Sequence, residues 1–175
     1  MIARRVLFVD HAGVLGGAEF SLLDIAAAFG ASADVVLLAD GPFRAALERR
    51  GLAVTVEPLG AMARVRKTSV VPSPAVALDA WRAARRVAAR AASADLIYAN
   101  SQKAFIVCAL AGAMARRRVV WHLRDILGPP HFSPATVRVA VWLANRFAAR
   151  VIVNSHATGR AFVAAGGRAS LVRVV

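Results

Sequence analysis

Three glycines lie close together near the start of the chain, at Gly13, Gly16 and Gly17, after the short apolar segment 6–9. An apolar segment with helical spacing follows them. A strand, a glycine-rich turn and a helix in this order place the unpaired N–H groups and positive dipole of the helix beyond the strand. The pattern predicts a phosphate site at Gly16 and Gly17. The alternative is a tight turn that binds nothing, in which Glu19 caps the helix.

A second group of polar side chains, His122, Arg124 and Asp125, follows another apolar segment. Residues two apart in a strand point to the same side, so His122 and Arg124 share one side of it. The planar fork of Arg124 suits a phosphate or a carboxylate, which it binds through two parallel hydrogen bonds. His122 either supplies an imidazole to the same place or is a packed, hydrogen-bonded core residue.

The acidic residues are widely spaced, and no two stand within two positions of each other. A local carboxylate pair for a divalent metal is therefore absent from the sequence, which also disfavours a two-carboxylate glycosidase. We expect no metal and no cofactor. The single cysteine, Cys108, lies among apolar residues, so we expect a buried side chain and not a nucleophile.

Short apolar runs alternate with helical segments along the chain. The predicted strands are 6–10, 35–38, 52–56, 95–99, 119–123, 151–153 and 171–175. The predicted helices are 17–29, 42–50, 74–92, 102–115, 134–149 and a short one that ends at 166–167. This order predicts an α/β fold: a Rossmann-like, doubly wound parallel sheet of about seven strands with helices on both faces.

The 175 residues predict one domain, 1–175, with a core rich in aliphatic side chains, since 58% of the residues are hydrophobic. No apolar run approaches the roughly 20 residues of a membrane span, so we expect a cytoplasmic protein. The net charge of +13 predicts anionic partners. Nucleic acid is disfavoured among them because no aromatic residues are interleaved with the basic ones.

Many of the basic residues fall in one region, a loop predicted over 60–74 and the helix after it. They are Arg64, Arg66, Lys67, Arg82, Arg85, Arg86 and Arg90. Spacings of three and four residues predict a continuous cationic stripe on the helix, with Trp81 and several alanines on another face. The stripe predicts contact with an anionic membrane, at about 1 kcal/mol per basic residue. The alternative is an ordinary solvated surface, because the predicted stripe lacks the large apolar residues that would insert into a membrane.

Four segments in this order carry a resemblance to a known family. They are Gly-Gly-Ala-Glu at 16–19, Asp-Leu-Ile-Tyr-Ala-Asn-Ser at 95–101, Val-Trp-His-Leu-Arg-Asp at 120–125 and Ala-Ala-Arg-Val-Ile-Val-Asn-Ser at 148–155. With them, nearly the whole chain resembles the N-terminal domain of the retaining GT-B glycosyltransferases of family 4. Those enzymes move a sugar from a nucleotide-sugar to an acceptor.

The resemblance implies that the chain is one half of a GT-B fold, the acceptor-side half. The C-terminal domain that binds the nucleotide-sugar is expected to be missing from residues 1–175, which implies that the chain alone is inactive. The implied chemistry needs no metal. The implied acceptor is a polysaccharide, a lipid-linked molecule or another glycan, as in bacterial cell-envelope synthesis, and the implied location is the cytoplasm or the inner face of the plasma membrane.

The resemblance also implies three groups of site residues. They are donor-diphosphate contacts at Gly16 and Gly17, acceptor contacts at His11, Glu19 and Asn100, and catalytic residues at His122, Arg124 and Asp125. The family often has a histidine and an aspartate after the fifth strand, and here Arg124 stands in place of that histidine. Asn100 ends a predicted strand at the carboxyl edge of the sheet, where α/β proteins bind ligands.

Two other interpretations remain open. A dinucleotide-binding oxidoreductase domain shares the order of strand, glycine turn and helix, and Asp40 would then hold a ribose. The spacing Gly13-x-x-Gly16-Gly17 disfavours it, because the dinucleotide turn is G-x-G-x-x-G. A basic, non-enzymatic module that binds membrane or nucleic acid is the second, and the ordered α/β pattern disfavours it as the whole function.

Overall fold

A computed structural model describes residues 5–64 and 73–175. Its strands are β1 (Val6–Asp10), β2 (Ala33–Leu37), β3 (Ala53–Val56), β4 (Leu96–Ala99), β5 (Arg118–Leu123), β6 (Ala148–Val153) and β7 (Val172–Val174). Its α-helices are α1 (Gly17–Phe29), α2 (Pro42–Arg49), α3 (Pro74–Ala91), α4 (Gln102–Ala115), α5 (Pro134–Phe147) and α6 (His156–Ala164). Short 3₁₀ turns lie at Gly30–Ser32, Ala61–Arg64 and Ala169–Leu171.

The strands form one parallel sheet in the order β3-β2-β1-β4-β5-β6-β7. This confirms the predicted Rossmann-like α/β fold. The chain runs outward from β1 to β3, then crosses back to place β4 on the other side of β1. The strand order therefore reverses between β1 and β4, and open α/β sheets bind their ligands at the carboxyl ends of the strands at such a point.

Helices cover both faces of the sheet, because alternate residues of each buried strand point to opposite sides. Phe8 packs with Leu22 of α1 and Phe43 of α2 on one face. The other face lies under α3, α4, α5 and α6, where Phe105 stacks on Trp121 with ring centroids 4.4 Å apart. Cys108 is fully buried there, as predicted, and burial raises the pKa of its thiol.

Serine side chains start four of the helices. Ser73, Ser101, Ser133 and Ser155 each accept a hydrogen bond from the backbone N–H three residues on. None of the helices in the described residues is long and apolar enough to cross a membrane.

Besides small shifts at the ends of several elements, three details differ from the prediction. The loop predicted to be exposed over 60–74 contains the turn Ala61–Arg64, and Met62 is buried in the core with α3. Helix α5 ends at Phe147 and not at 149, because Ala148 is already extended and pairs with β5. Asp10, which the sequence places where β1 meets solvent, is fully buried.

Candidate functional site

A network of polar side chains lies at the carboxyl ends of β1, β4 and β5, where the strand order reverses. Asp10 ends β1, Asn100 follows β4, and Arg124 follows β5. Because these strands are neighbours in the sheet, their ends meet at one edge although the residues are far apart in sequence. The network is the main concentration of buried polar groups in the described part of the chain.

Asp10 is the buried anchor of the network. Its carboxylate accepts hydrogen bonds from the backbone N–H of His11 at 2.6 Å and from Asn100 Nδ2 at 2.6 Å. Burial alone raises the pKa of a carboxyl. Here the hydrogen bonds from His11 and Asn100 and the charge of His11 outweigh burial, so the pKa of Asp10 lies below its usual value. Asp10 is therefore an ionised group at neutral pH.

Asn100 connects β1, α1 and β5, and it is 1% exposed. Its amide nitrogen donates to Asp10 and, at 3.2 Å, to the backbone carbonyl of Ala18 in α1. Its carbonyl oxygen accepts from Arg124 Nε at 3.3 Å and Nη2 at 3.1 Å. The side chain predicted to contact an acceptor is thus occupied with holding the arginine and the start of α1.

Arg124 reaches from the end of β5 to the first turns of α1. Its Nη2 donates to Ser21 Oγ at 3.0 Å and to His122 Nδ1 at 3.2 Å. Its Nη1 makes no hydrogen bond to any residue that the structure describes. Burial lowers the pKa of Arg124, but the guanidinium stays charged at neutral pH because its ordinary pKa exceeds 12. The Nη1 edge of the charged Arg124 guanidinium is therefore available to bind an anion.

His122 lies on the same side of β5 as Arg124, as predicted, but it is 4% exposed. Its Nδ1 accepts hydrogen bonds from Arg124 and from the Tyr98 hydroxyl, so the hydrogen of the neutral ring is on Nε2. Burial, with the positive charge of Arg124, lowers the pKa of His122 to about 4. Burial likewise raises the pKa of Tyr98 to about 12. His122 is a neutral group that orients Arg124 from within the core.

His11 follows β1 and is half-buried. Its ring Nδ1 lies 2.8 Å from Ser101 Oγ at the start of α4 and 3.2 Å from Asp10 Oδ1. The network thus continues from Arg124 through Asn100 and Asp10 to the His11 ring.

The glycines of the β1–α1 loop have different surroundings. A Cβ on Gly13 would lie 2.2 Å from the backbone oxygen of Asp40, so Gly13 permits contact between two loops and not with a ligand. Among the described residues, a Cβ on Gly16 would meet only the end of the Glu19 side chain, at 2.9 Å, and one on Gly17 would meet nothing within 4 Å. The N-terminus of α1 is therefore open at Gly16 and Gly17.

The remaining predicted site residues lie around this centre. Glu19 is 8% exposed and folds back beneath Gly16, in the first turn of α1. Asp125 is exposed beyond Arg124 and has an interaction partner. The structure therefore brings His11, Asn100, Arg124 and His122 into one network and leaves Asp125 at its rim. No group of three metal-ligating side chains was found in the described residues.

The predicted continuous cationic stripe divides in two. Glu57, which follows β3, forms an ion pair with Arg86 Nε at 2.9 Å and accepts a hydrogen bond from Arg90 Nε at 3.2 Å, so these two arginines are paired within the domain. Arg82 and Arg85 are exposed. The prediction for Arg66 and Lys67 falls outside the described residues, and Arg64 is exposed.

Two large apolar side chains lie beside the exposed arginines, which corrects the predicted position of Trp81. Trp81 is 45% exposed and Leu78 is 44% exposed, and the guanidinium of Arg85 lies 5.0 Å from the Trp81 ring centroid. The buried face of α3 consists instead of alanines and Val87. We call the exposed set Leu78, Trp81, Arg82 and Arg85 the α3 stripe.

The sequence pattern does not assign three members of the network, Ser21, Tyr98 and Asp10, to a functional site. The available signal was positional: polar residues at the carboxyl ends of β1 and β4 meet at the point where the strand order reverses. The Ser21 contact depends on how α1 packs on the sheet, for which the local sequence has no signal.

The fold and the location of the network define the class: a Rossmann-like α/β domain of the kind that binds ligands at the carboxyl edge of its sheet. Residues 16–175 match the glycosyl transferase 4-like domain family. The chain therefore belongs to this family, which confirms the resemblance found in the sequence. The family match, with the glycine spacing, sets aside the oxidoreductase interpretation. No curated protein matches the chain significantly.

Solved structures agree with this assignment. The chain is 44% identical to Anabaena Alr3699/HepE, solved in complex with UDP and glucose, with a TM-score of 0.83 over 98% of this chain and 44% of that one. A HepE complex with UDP-glucose has 43% identity and a TM-score of 0.80. A glycosyltransferase from Rickettsia africae ESF-5 shares the fold at 12% identity and a TM-score of 0.71, over 100% of this chain and 43% of that one. The chain thus spans less than half the length of these proteins.

Proposed function

We propose that this chain is the acceptor-side domain of a retaining glycosyltransferase that moves a sugar from a nucleotide-sugar to a glycan or lipid-linked acceptor. The donor site would be completed by a second domain that faces the carboxyl edge of the sheet. Family membership and the HepE complexes with UDP and UDP-glucose support this proposal. We propose UDP-glucose as the first donor to test.

The observation that carries the proposal is the unpaired edge of Arg124 beside the start of α1. Arg124 contacts Ser21, one helical turn after the open N–H groups at Gly16 and Gly17. A diphosphate placed there would receive the guanidinium on one side and the helix N-terminus on the other. Departure of a nucleoside diphosphate develops negative charge on that group, which these donors would stabilise without a metal.

The chemistry assigned to each residue follows from its contacts. Arg124, with Gly16 and Gly17, would bind the donor diphosphate. Asn100 and His122 would act as positioning residues, since both hold the guanidinium from the side away from the free Nη1. The acceptor contacts predicted at His11 and Glu19, and a role for Asp125 at the rim, remain part of the proposal.

We further propose that the α3 stripe binds the protein to the anionic cytoplasmic face of a membrane, where lipid-linked acceptors would be reached. Helices α3, α4 and α5 contain one acidic residue, Asp79, and its carboxylate accepts a hydrogen bond from the backbone of Ala61. The stripe combines exposed cations with a tryptophan and a leucine, which is the composition of interfacial helices.

The test is turnover of UDP-glucose by the full-length protein. Arg124→Ala should lower turnover at least tenfold, which corresponds to about 1.4 kcal/mol of transition-state stabilisation. His122→Ala should have a similar or smaller effect, because it acts through Arg124. The matched control is Arg118→Ala, an exposed arginine at the opposite end of β5. Wild-type kinetics in the Arg124 variant would remove the anion site from the mechanism.

A further inference from the structure

Helix α5 repeats on its outer surface the combination of arginines and a tryptophan found in the α3 stripe. Trp142 is 62% exposed, and the exposed arginines Arg138 and Arg146 lie one helical turn before it and one turn after it. Val139 is 46% exposed beside them. The Arg146 guanidinium lies 5.0 Å from the ring centroid of Phe147, and that ring packs edge-on with Trp142. We call the exposed set Arg138, Val139, Trp142 and Arg146 the α5 stripe.

Helix α4 connects the two stripes. It lies between α3 and α5 on one face of the sheet and contacts both. Its outer surface carries Ile106 and Leu110, which are half-buried, and Met114, which is exposed. A spacing of four residues places these three side chains on one line along the helix. The α3 stripe, this apolar line and the α5 stripe therefore form one surface, which we call the three-helix face.

The charge of the three-helix face decides what it can bind. Among the described helices, α4 and α5 contain no acidic residue, and α3 contains only Asp79, whose carboxylate accepts a hydrogen bond from the backbone of Ala61. The helices on the other face of the sheet instead carry Glu19, Asp24 and Glu48. A second copy of the chain would present the same positive charge and be repelled. An anionic bilayer attracts the arginines, and the apolar side chains between them can enter its apolar layer.

The width of the three-helix face also favours a bilayer. Packed helices are about 8–10 Å apart, so α3 and α5 lie about 20 Å apart across this face. A single helix of a protein partner is about 10 Å wide and would cover only one stripe. A bilayer surface covers both stripes at once, and tryptophan is enriched at the level of its headgroups.

We infer that the three-helix face docks as a unit on an anionic bilayer, with Trp81 and Trp142 both inserted among the headgroups, an inference that rests on the membrane contact proposed for the α3 stripe. The helix layer is parallel to the sheet, so the sheet lies parallel to the bilayer, about 10 Å, one helix diameter, above the headgroups. The carboxyl edge with Arg124 then opens sideways, along the membrane surface. This orientation favours an acceptor carried on a lipid over a soluble glycan.

The experiment measures tryptophan fluorescence of the full-length protein on vesicles of phosphatidylglycerol and brominated phosphatidylcholine, because bromine quenches only rings that enter the bilayer. Trp81→Phe and Trp142→Phe should each lower the quenched fraction, and the double variant should lose both contributions. Each variant is compared with the wild type, so that fluorescence from the rest of the chain cancels. Phenylalanine keeps an aromatic ring against Phe147. Trp121 is fully buried and serves as the unquenched reference.

A second measurement tests the charge of the α5 stripe. Arg138→Glu/Arg146→Glu should lower the binding of the full-length protein to these vesicles about tenfold in a sedimentation assay, because basic residues near an anionic surface add to the affinity. The matched control is Arg49→Glu/Arg50→Glu, which changes the charge equally at the end of α2, on the opposite face of the sheet.

The outcomes separate the two proposals. Lower quenching in both single variants, with weaker sedimentation of the α5 double variant but not of its control, supports the inference. Quenching that depends on Trp81 alone overturns it and leaves the α3 stripe as the membrane contact. Quenching that depends on Trp142 alone overturns both the joint docking and the α3 contact. Equal loss of sedimentation in the control assigns binding to net charge and overturns the inference. Absence of vesicle binding by the wild type contradicts the membrane contact on which the inference rests.

Discussion

At the scale of single residues, buried polar side chains hold two partly exposed side chains in place. Asp10 and His122 are both buried, one ionised and one neutral, and each holds a neighbour that faces the open edge of the sheet. Asp10 holds His11, and His122 holds Arg124. The buried members are thus positioning residues, and their replacement should be visible in stability as well as in activity.

The low pKa of His122 predicts how stability depends on pH. The folded protein keeps this ring neutral down to about pH 4, whereas the unfolded chain protonates it near 6.5. Between these values the unfolded state binds more protons, so stability should fall as the pH is lowered from 6.5 to 4, by at most about 3 kcal/mol. Urea unfolding of the chain at pH 7.5 and pH 4.5 measures this difference.

His122→Asn is the informative variant, because its side-chain oxygen can replace Nδ1 as acceptor but does not titrate. We expect a smaller loss of stability between pH 7.5 and 4.5 than in the wild type. Asp10 does not interfere, since a carboxyl with a lowered pKa costs stability only as the pH falls below its unfolded value of 3.8. Equal pH dependence in both proteins would show that His122 is not the titrating group.

At the scale of elements, two loops and one helix face carry the functional features. The β1–α1 loop is shaped by contact with the β2–α2 loop, where Phe43 N donates to the Gly13 carbonyl at 2.9 Å. On the other face of the sheet, α3 packs its alanines inward and turns its large residues outward.

Substitutions at two glycines of the β1–α1 loop should have different effects, one on protein stability and the other on ligand binding. Gly13→Ala should destabilise the protein by about 1–3 kcal/mol, because its Cβ would overlap the Asp40 carbonyl. Gly16 has φ −143° and ψ −173°, which any residue adopts. Gly16→Val should therefore keep the melting temperature while its side chain obstructs the helix N-terminus and weakens UDP-glucose binding at least tenfold. Thermal melts and calorimetric titration measure the two quantities, and equal losses in both for Gly16→Val would favour a simple turn.

The α3 stripe should bind vesicles of phosphatidylglycerol and phosphatidylcholine in a sedimentation assay. Binding should require the anionic lipid, weaken with salt, and fall sharply in Arg82→Glu/Arg85→Glu, since each basic residue contributes about 1 kcal/mol near an anionic bilayer. Trp81→Ala should weaken binding at all salt concentrations, because an inserted ring is not screened.

The control for this assay is Arg49→Glu/Arg50→Glu, which changes the charge equally at the end of α2, on the opposite face of the sheet. If both double variants lose binding to the same extent, net charge and not the α3 stripe is responsible. Vesicle binding that survives in Arg82→Glu/Arg85→Glu would leave α3 as ordinary solvated surface.

At the scale of the whole molecule, the chain is a domain with one functional edge. Its polar network and the start of α1 open on the same edge, and the solved structures that the chain resembles are more than twice as long. A donor bound only by Arg124 and a helix N-terminus would leave its sugar and base without contacts. The proposed reaction therefore needs a second surface across the cleft.

We expect the 175-residue chain to unfold cooperatively by itself, because its sheet is covered on both faces, and yet to transfer no sugar. Incubation with UDP-glucose should release no UDP above the buffer background, while the full-length protein does so under the same conditions. Turnover by the chain alone would contradict the two-domain mechanism and would place the whole donor site on this domain.

Much of the fold could be predicted because its signals are local. Apolar runs of strand length, helical spacing, capping serines such as Ser101 and the glycines at Gly16 and Gly17 each act within a few residues. Alternation of strands and helices then limits the topology to parallel, right-handed crossovers. The same-side relation of His122 and Arg124 also follows from strand geometry alone.

The tertiary structure decided what these residues do. Asp10 and Asn100, and likewise His11 and Ser101, are 90 positions apart in sequence and meet only because β4 pairs with β1. Burial of Asp10 and His122, the pairing of Arg86 and Arg90 with Glu57, and the exposure of Trp81 all depend on which surfaces pack together. Local sequence sets backbone conformation, but pKa values, hydrogen-bond partners and free surfaces are properties of atoms brought together by packing, and a linear pattern does not contain them.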